Sequence, residues 1–208
     1  MKNSNTEAIV VIHGLWMKGF ELFFLKNQFK KQGYRVYIFR YSSLFKKPEV
    51  NATALFHFVS SLNEKTTHFV AHSLGGIVLS HLFANYTIET SNKVALIASP
   101  VNGSAAAAYV AKNKFLKWLL GKSIINGLLG DIPKWTEKHK TCVIAGIKGF
   151  GMGSLLARPA LTEENDGTVN LNETQIATAT ESHIVSGSHF SLLFSNKVAK
   201  IIISFLKK

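Results

Sequence analysis

Ser73 stands where a strand-like run of the sequence meets a helix-like run. It lies in the segment Ala71-His72-Ser73-Leu74-Gly75, between an apolar stretch and a stretch with helical spacing. A sharp strand-to-helix turn of this kind, a nucleophile elbow, pushes the serine hydroxyl clear of the backbone. Strand and helix backbones approach closely there, so the residues two before and two after the serine must be small. Gly75 meets this requirement, and Ala71 adds only one methyl group.

A serine nucleophile at neutral pH needs a base, and the base needs a carboxylate that orients it. His189 is the preferred base because it follows the last strand-like run and precedes the final helix. Asp166, in the turn sequence Asn165-Asp166-Gly167, is the preferred acid because it follows the fifth strand-like run, whereas the other aspartate, Asp131, precedes that run. Other residues in the sequence stay open as alternatives: Glu163 and Glu164 for the acid, and His183 for the base.

Non-catalytic interpretations exist for these same residues. A serine at the start of a helix can serve as its N-cap, and an aspartate in a turn is commonly structural. The placement of Ser73, Asp166 and His189, each after a predicted strand, favours the catalytic interpretation.

Short apolar runs that alternate with helical patterns predict the elements that carry these residues. The predicted strands are 8–13, 34–39, 67–71, 93–98, 141–147 and 182–186. The predicted helices include 20–32, 51–63 with Asn51 as its cap, and 191–206. Alternating strands and helices indicate an α/β fold with a mostly parallel sheet of about six strands and helices on both faces. Functional loops of such a sheet lie at the carboxyl ends of its strands.

Residues 101–140 form a long insertion between the fourth and fifth predicted strands. The stretch 105–120 has helical spacing and supplies apolar bulk from Tyr109, Phe115 and Trp118. Two interpretations stay open: a small helical cap or lid over an acyl pocket, and an ordinary helix that covers the sheet. The insertion holds seven lysines against Asp131 and Glu137, which raises the prospect of weak association with an anionic membrane surface.

The sequence resembles the lipase and esterase branch of the α/β-hydrolase superfamily, especially its compact bacterial members. The matching stretches, in the family's order, are His13-Gly14-Leu15-Trp16, Ala71-His72-Ser73-Leu74-Gly75-Gly76, Ser99-Pro100-Val101-Asn102-Gly103-Ser104, Asn165-Asp166-Gly167-Thr168-Val169 and Gly187-Ser188-His189. The resemblance implies an oxyanion hole formed by the backbone N–H groups of Leu15 and Leu74. We expect Trp16, Met17 and Val101 to line the substrate pocket, and His13 to pin its loop by a hydrogen bond.

Composition limits the remaining function classes. The 208 residues, of which 47% are hydrophobic, suit one domain spanning 1–208. The net charge of +12 comes from dispersed lysines without a nucleic-acid motif, so we predict no nucleic-acid partner. Cys142 is the only cysteine, and the sequence contains no spacing typical of a metal site. The short polar start and the absence of a long apolar stretch predict a cytoplasmic location.

These observations predict a serine hydrolase that cleaves carboxylic esters through an acyl-enzyme and needs neither a metal nor an organic cofactor. The expected substrate is a small-molecule or lipid acyl ester. A thioesterase, an acyltransferase or a lipid deacylase would use the same three residues. A non-catalytic interaction protein that kept the fold would lack a triad member, and all three positions are filled here.

Overall fold

A computed structural model of the protein describes residues 7–89, 91–135, 139–162 and 164–208. Six parallel strands form one sheet in the order β2-β1-β3-β4-β5-β6. Their bounds are β1 Ala8–Ile12, β2 Arg35–Phe39, β3 Thr67–His72, β4 Ser91–Ile97, β5 Lys140–Gly146 and β6 Glu181–Val185. The predicted α/β class and the six predicted strands are confirmed.

The order of the strands reverses between β1 and β3, which makes this the switch point of the sheet. β1 pairs with β2 on one side and with β3 on the other, so the loops that follow β1 and β3 leave the sheet side by side. All residues of both strands are buried, as expected for strands covered on both faces. This switch point brings the segment after Ile12 and the segment after His72 to the same edge, where ligands bind in sheets of this type.

Helices cover both faces of the sheet. Their bounds are α1 Phe23–Lys31, α2 Pro48–Ser61, α3 Leu74–Asn85, α4 Ala105–Lys112, α5 Met152–Leu156 and α6 Asn196–Lys207. Short 3-10 segments span Phe20–Leu22, Lys117–Ile124, Arg158–Ala160, Leu171–Thr174 and Ser191–Phe194. Alternate strand residues face opposite layers: Ile9 and Val11 pack with α1 and α6, whereas Val10 and Ile12 pack with α2 and α3.

Two predicted helix ends were wrong. The second helix begins at Pro48 after an extended Lys47, since proline at the first helical turn gives up no hydrogen bond. Asn51 therefore lies inside the helix, where its buried amide donates to the carbonyls of Ser42 and Lys46. The predicted helix 191–206 is broken at Ser195, whose side chain caps α6 instead.

The insertion 101–140 folds less regularly than its spacing predicted. The expected helix 105–120 ends at Lys112, and a separate 3-10 segment follows, with a kink at Gly121. The predicted apolar bulk of this region is largely exposed, since Phe115 and Trp118 are 85% and 73% accessible. Within the described parts of the chain, no helix is long and apolar enough to cross a membrane.

Hydrogen bonds fasten the second half of this insertion to the rest of the molecule. The Lys122 N–H donates to the Leu44 carbonyl at 2.7 Å, and the buried His81 ring pairs with the Asn126 carbonyl at 2.6 Å. Trp16 donates its indole N–H to the Leu119 carbonyl at 2.7 Å. These three hydrogen bonds join the segment 119–126 to three distant parts of the chain, and both interpretations of the insertion stay predictions.

Candidate active site

Ser73 occupies a strained turn between β3 and α3. Its backbone has φ 53° and ψ −123°, a region that costs a residue with a Cβ atom of order 1–3 kcal/mol. The Ser73 N–H donates to the Ile97 carbonyl at 2.9 Å, which ties the turn to the end of β4. The side chain makes no capping hydrogen bond to α3, so the simple N-cap interpretation does not apply. The geometry is that of a nucleophile elbow.

The requirement for small residues around Ser73 has a visible cause. A Cβ atom at Gly75 would lie 2.9 Å from the carbonyl oxygens of both Ile12 and His13. The start of α3 thus touches the end of β1, from which the loop with Leu15 departs. Ala71 is fully buried in β3 and adds only one methyl group.

Asp166 and His189 form a close pair beside this turn. The His189 ring Nδ1 lies 2.7 Å from Asp166 Oδ2, and the His189 N–H donates to the Asp166 carbonyl at 2.8 Å. The carboxylate is 1% exposed and the imidazole 12%, so water screens their interaction little. The pairing fixes the tautomer in which Nδ1 carries the proton and Nε2 is free to accept one.

The Asp166 carboxylate is held by its own turn. Its Oδ1 accepts hydrogen bonds from the N–H groups of Thr168 and Val169 at 2.9 and 2.8 Å. With Oδ2 bonded to His189, both oxygens of the buried carboxylate have hydrogen-bond partners. Of the alternative acids, Glu164 is exposed, and Glu163 lies outside the described residues.

His189, the predicted base, and Ser73 face the same space. Ser73 and His189 both line one large cavity. No hydrogen bond joins their side chains in the part of the chain that the structure describes. Free enzymes often show long catalytic contacts that tighten only when substrate binds. The alternative base His183 lies within β6 and pairs with Glu181 at 3.0 Å.

The loop 13–17 after β1, here called the oxyanion loop after its predicted role, presents backbone donors to the same space. The N–H groups of Leu15 and Leu74 donate to no other described residue, and both residues border Ser73 or its cavity. A Cβ atom at Gly14 would lie 3.0 Å from Ser73 Cβ, so this loop passes directly beside the serine. Two free N–H groups beside a serine match the donor arrangement of an oxyanion hole.

His13 holds this loop in place, as predicted. Its Nδ1 pairs with the Gly14 carbonyl at 2.9 Å, and its Nε2 accepts the Tyr41 N–H at 3.3 Å. The Tyr41 hydroxyl donates to the His13 carbonyl at 2.8 Å, and the two rings stack 4.3 Å apart. Burial lowers the pKa of His13, which keeps the ring neutral in this network.

The cavity has a volume of about 1000 Å³, at the upper end of the range for small-molecule sites. Its walls are mostly apolar side chains from the oxyanion loop, the insertion and the segment after β5. The wall residues include Leu15, Trp16, Met17, Ala107, Val110, Leu120, Leu128, Met152, Leu156 and Val169. Ser73 and His189 are among the few polar groups that reach this space.

Two of the three residues expected to line the pocket do so. Trp16 and Met17 belong to the cavity wall, whereas Val101 does not: its side chain packs against the core between the sheet and α3. The neighbouring Pro100 and Ser104 reach the cavity instead.

Sequence reasoning missed one wall entirely. The wall comes from α5 and the preceding loop, where Phe150 is the most exposed member. This segment has no periodic pattern, and its only signal was a glycine-rich stretch after the end of a predicted strand.

One group of metal-type ligands occurs among the described residues, far from this site. Cys142, Glu181 and His183 lie together near the amino ends of β5 and β6. Glu181 already pairs with His183 and Lys208, and burial raises the pKa of the Cys142 thiol to about 12. A protonated thiol and an occupied carboxylate suit a structural contact better than metal binding.

Comparisons with known proteins identify the fold. No protein-family model matches the sequence, and no curated protein matches it either. Among solved structures, the mature lipase BlEst2 of Bacillus licheniformis superposes with a TM-score of 0.77 at 21% identity, covering 98% of this chain and 93% of that one. A metagenomic carboxyl esterase gives 0.69 at 15% identity, covering 98% and 76%.

A further solved structure shows that this fold serves more than one activity. A bromoperoxidase from Bacillus anthracis superposes with a TM-score of 0.64 at 13% identity, covering 98% of this chain and 92% of that one. The comparisons therefore establish the α/β-hydrolase fold of this chain, with esterases and lipases among its structural neighbours. The site itself must supply the argument for a reaction.

Proposed function

We propose that this protein hydrolyses carboxylic esters through an acyl-enzyme formed on Ser73. The observation that carries the proposal is the buried Asp166–His189 pair, joined at 2.7 Å and opening into the cavity that the strained Ser73 also lines. A non-catalytic protein of this fold has no need for such a pair, nor for the backbone strain at Ser73.

The first half of the reaction forms the acyl-enzyme. His189 Nε2 takes the proton of the Ser73 hydroxyl while Oγ attacks the carbonyl carbon of the ester. The negative charge on the carbonyl oxygen is met by the N–H groups of Leu15 and Leu74. The protonated His189, stabilised by Asp166, then gives its proton to the departing alcohol, and the carbon–oxygen bond to that alcohol breaks.

The second half returns the enzyme to its starting state. His189 takes a proton from water as the water oxygen attacks the acyl carbon. The tetrahedral intermediate collapses, the proton passes from His189 to Ser73 Oγ, and a carboxylic acid leaves. Each oxyanion donor of this type is worth roughly 3 kcal/mol of transition-state stabilisation.

The cavity suggests the kind of acyl group. Its mostly apolar walls and volume of about 1000 Å³ suit a long or branched hydrocarbon chain better than an acetyl group. An acyl-lipid ester is therefore the preferred substrate. A cytoplasmic location stays a prediction from the sequence.

A substrate panel tests this proposal. The purified protein is assayed on ester and thioester substrates from acetyl to long acyl chains, with Ser73→Ala as the inactive variant. Ser99→Ala is the matched control, since Ser99 is also a buried serine after a strand end. We expect turnover that rises with acyl length, disappears in Ser73→Ala and persists in Ser99→Ala. Turnover of thioesters alone would replace the ester assignment, and equal turnover by both variants would refute it.

A further inference from the structure

We propose that the mouth of the cavity is a docking surface for a bilayer containing anionic phospholipid. This inference rests on the proposed function, because it explains how an acyl-lipid would reach Ser73. Six apolar residues, here called the rim, both line the cavity and lie open to solvent. The rim consists of Trp16, Phe150, Met152, Leu155, Phe190 and Phe194.

The exposure of the rim is unusual for its residue types. Phe150 is 83% exposed and Leu155 is 76% exposed, although both side chains are strongly apolar. Phe190 and Phe194 contact each other, with ring centroids 5.2 Å apart. Clustered exposed apolar side chains around a cavity mark an interaction surface rather than ordinary protein surface.

The insertion extends this apolar surface. The Trp16 indole donates to the Leu119 carbonyl, which places the neighbouring Trp118 beside the rim. Trp118 is 73% exposed and Phe115, three residues before it, is 85% exposed; neither lines the cavity. Their rings can enter a lipid interface without occupying the substrate space.

The charge of the segments that carry these residues selects the partner. The ranges 15–21, 113–121, 147–155 and 188–197 contain five lysines and one acidic residue, Glu21, which lines the cavity and accepts a hydrogen bond from the Gly19 N–H. The lysines are Lys18, Lys114, Lys117, Lys148 and Lys197. Exposed aromatic rings interleaved with lysines match an anionic bilayer, in which the rings enter the interface and the ammonium groups meet lipid phosphates.

Vesicle binding tests the docking surface apart from the chemistry. The protein carrying Ser73→Ala is sedimented with phosphatidylcholine vesicles and with vesicles in which about a third of the lipid is phosphatidylglycerol. We expect binding at least about tenfold tighter to the anionic vesicles, weakened by added salt. Adding Phe115→Ser and Trp118→Ser should weaken that binding by roughly tenfold.

The matched control is Phe45→Ser, because Phe45 is 77% exposed but lies at a separate groove. It should leave vesicle binding unchanged. Equal binding to both vesicle types, no binding to either, or equal losses in the Phe45 and Phe115/Trp118 variants would each overturn the proposal. Vesicle binding without any ester turnover would refute the proposed function and leave this surface standing.

A different observation supports a second inference: we propose that His72 is a positioning residue for His189. The His72 side chain is 1% exposed, and its Nε2 lies 3.1 Å from the His189 carbonyl oxygen. The two rings lie 4.6 Å apart, and a Cβ atom at Gly14 would lie 3.0 Å from His72 Nδ1. His72 is thus wedged between the oxyanion loop and the loop of the base.

The protonation state of His72 fits this role. Burial and the neighbouring His189 hold the pKa of His72 well below its usual value, so the ring is neutral. A neutral ring that donates from Nε2 leaves Nδ1 without a proton, and Nδ1 has no partner among the described residues. A neutral ring also adds no charge that would oppose protonation of His189 during the reaction.

Two variants separate positioning from packing. His72→Phe keeps a ring of similar size but cannot donate to the His189 carbonyl, whereas the side-chain amide of His72→Gln can. We expect kcat of His72→Phe to fall at least about tenfold with KM nearly unchanged, and His72→Gln to recover most of that loss. Activity of His72→Phe within twofold of the parent, or a His72→Gln variant no better than His72→Phe at equal folded fraction, would overturn the inference.

Discussion

Replacement of Gly75 by alanine is expected to displace the oxyanion loop. The new Cβ atom would lie 2.9 Å from the carbonyl oxygens of Ile12 and His13. A carbon and an oxygen atom that are not bonded normally lie about 3.5 Å apart. The start of α3 and the end of β1 must therefore separate by roughly 0.6 Å to admit the methyl group. The chain runs on from His13 to Leu15, and the shift therefore reaches a proposed oxyanion donor. A misplacement of about 1 Å can cost roughly a hundredfold in rate.

We expect kcat of Gly75→Ala to fall by roughly ten- to a hundredfold and the free energy of unfolding to fall by about 1–3 kcal/mol. Ester turnover and urea unfolding measure the two effects separately. Gly76→Ala is the matched control, because its Cβ would lie 2.5 Å from Ser99 Cβ and away from the oxyanion loop. The control should lose stability while keeping most of its turnover. An unchanged kcat in Gly75→Ala, or an equal loss in the control, would refute the reasoning.

Three further predictions concern the acid, the strained turn and the buried imidazoles. Asp166→Asn should lower kcat by about 10⁴ with the fold intact, as expected when the base is held in the wrong tautomer, and steady-state kinetics measures the loss. Ser73→Gly should be roughly 1 kcal/mol more stable to urea than Ser73→Ala, because glycine adopts φ 53° without strain. The free energy of unfolding should fall as the pH drops below 6.5, since the unfolded chain then binds protons that the buried rings resist. Each such ring steepens that fall by at most about 1.4 kcal/mol per pH unit. The rings with lowered pKa values are His13, His68 and His72.

Each of these predictions has a clear contrary result. An Asp166→Asn variant with nearly full turnover would remove the carboxylate from the proposed triad. A Ser73→Gly variant no more stable than Ser73→Ala would show that the turn stores no strain. Unfolding free energies that stay level between pH 7.5 and pH 5 would show that the buried rings accept protons in the folded state.

The strands and the order of the site residues could be predicted from the sequence because their signals are local. A continuous, β-branched apolar run such as 8–12 is typical of a strand covered on both faces, and it is one here. Once Ser73, Asp166 and His189 each follow a strand, the shared edge of the sheet brings their segments together. Fold class and candidate residues therefore follow from patterns within short stretches.

The parts that sequence reasoning missed depend on contacts between distant segments. Asn51 has the type of a helix cap, but Pro48 starts the helix earlier and the amide is drawn to Ser42 and Lys46. Val101 was expected in the pocket but packs into the core.

The apolar residues of the insertion also could not be placed from the sequence. Phe115 was expected to supply apolar bulk to a helix, yet its side chain lies outside any regular helix and is 85% exposed. No local pattern distinguishes an apolar residue in a core from one that faces a partner.

Covalent labelling with a fluorophosphonate tests the central claim most directly, because the reagent reacts with a serine that a neighbouring base activates. Intact-mass analysis and peptide mapping locate the adduct. We predict one adduct, on Ser73, that is absent from Ser73→Ala and forms much more slowly in Asp166→Asn. A folded protein that takes no label, or that takes it on another serine such as Ser99, would contradict the account.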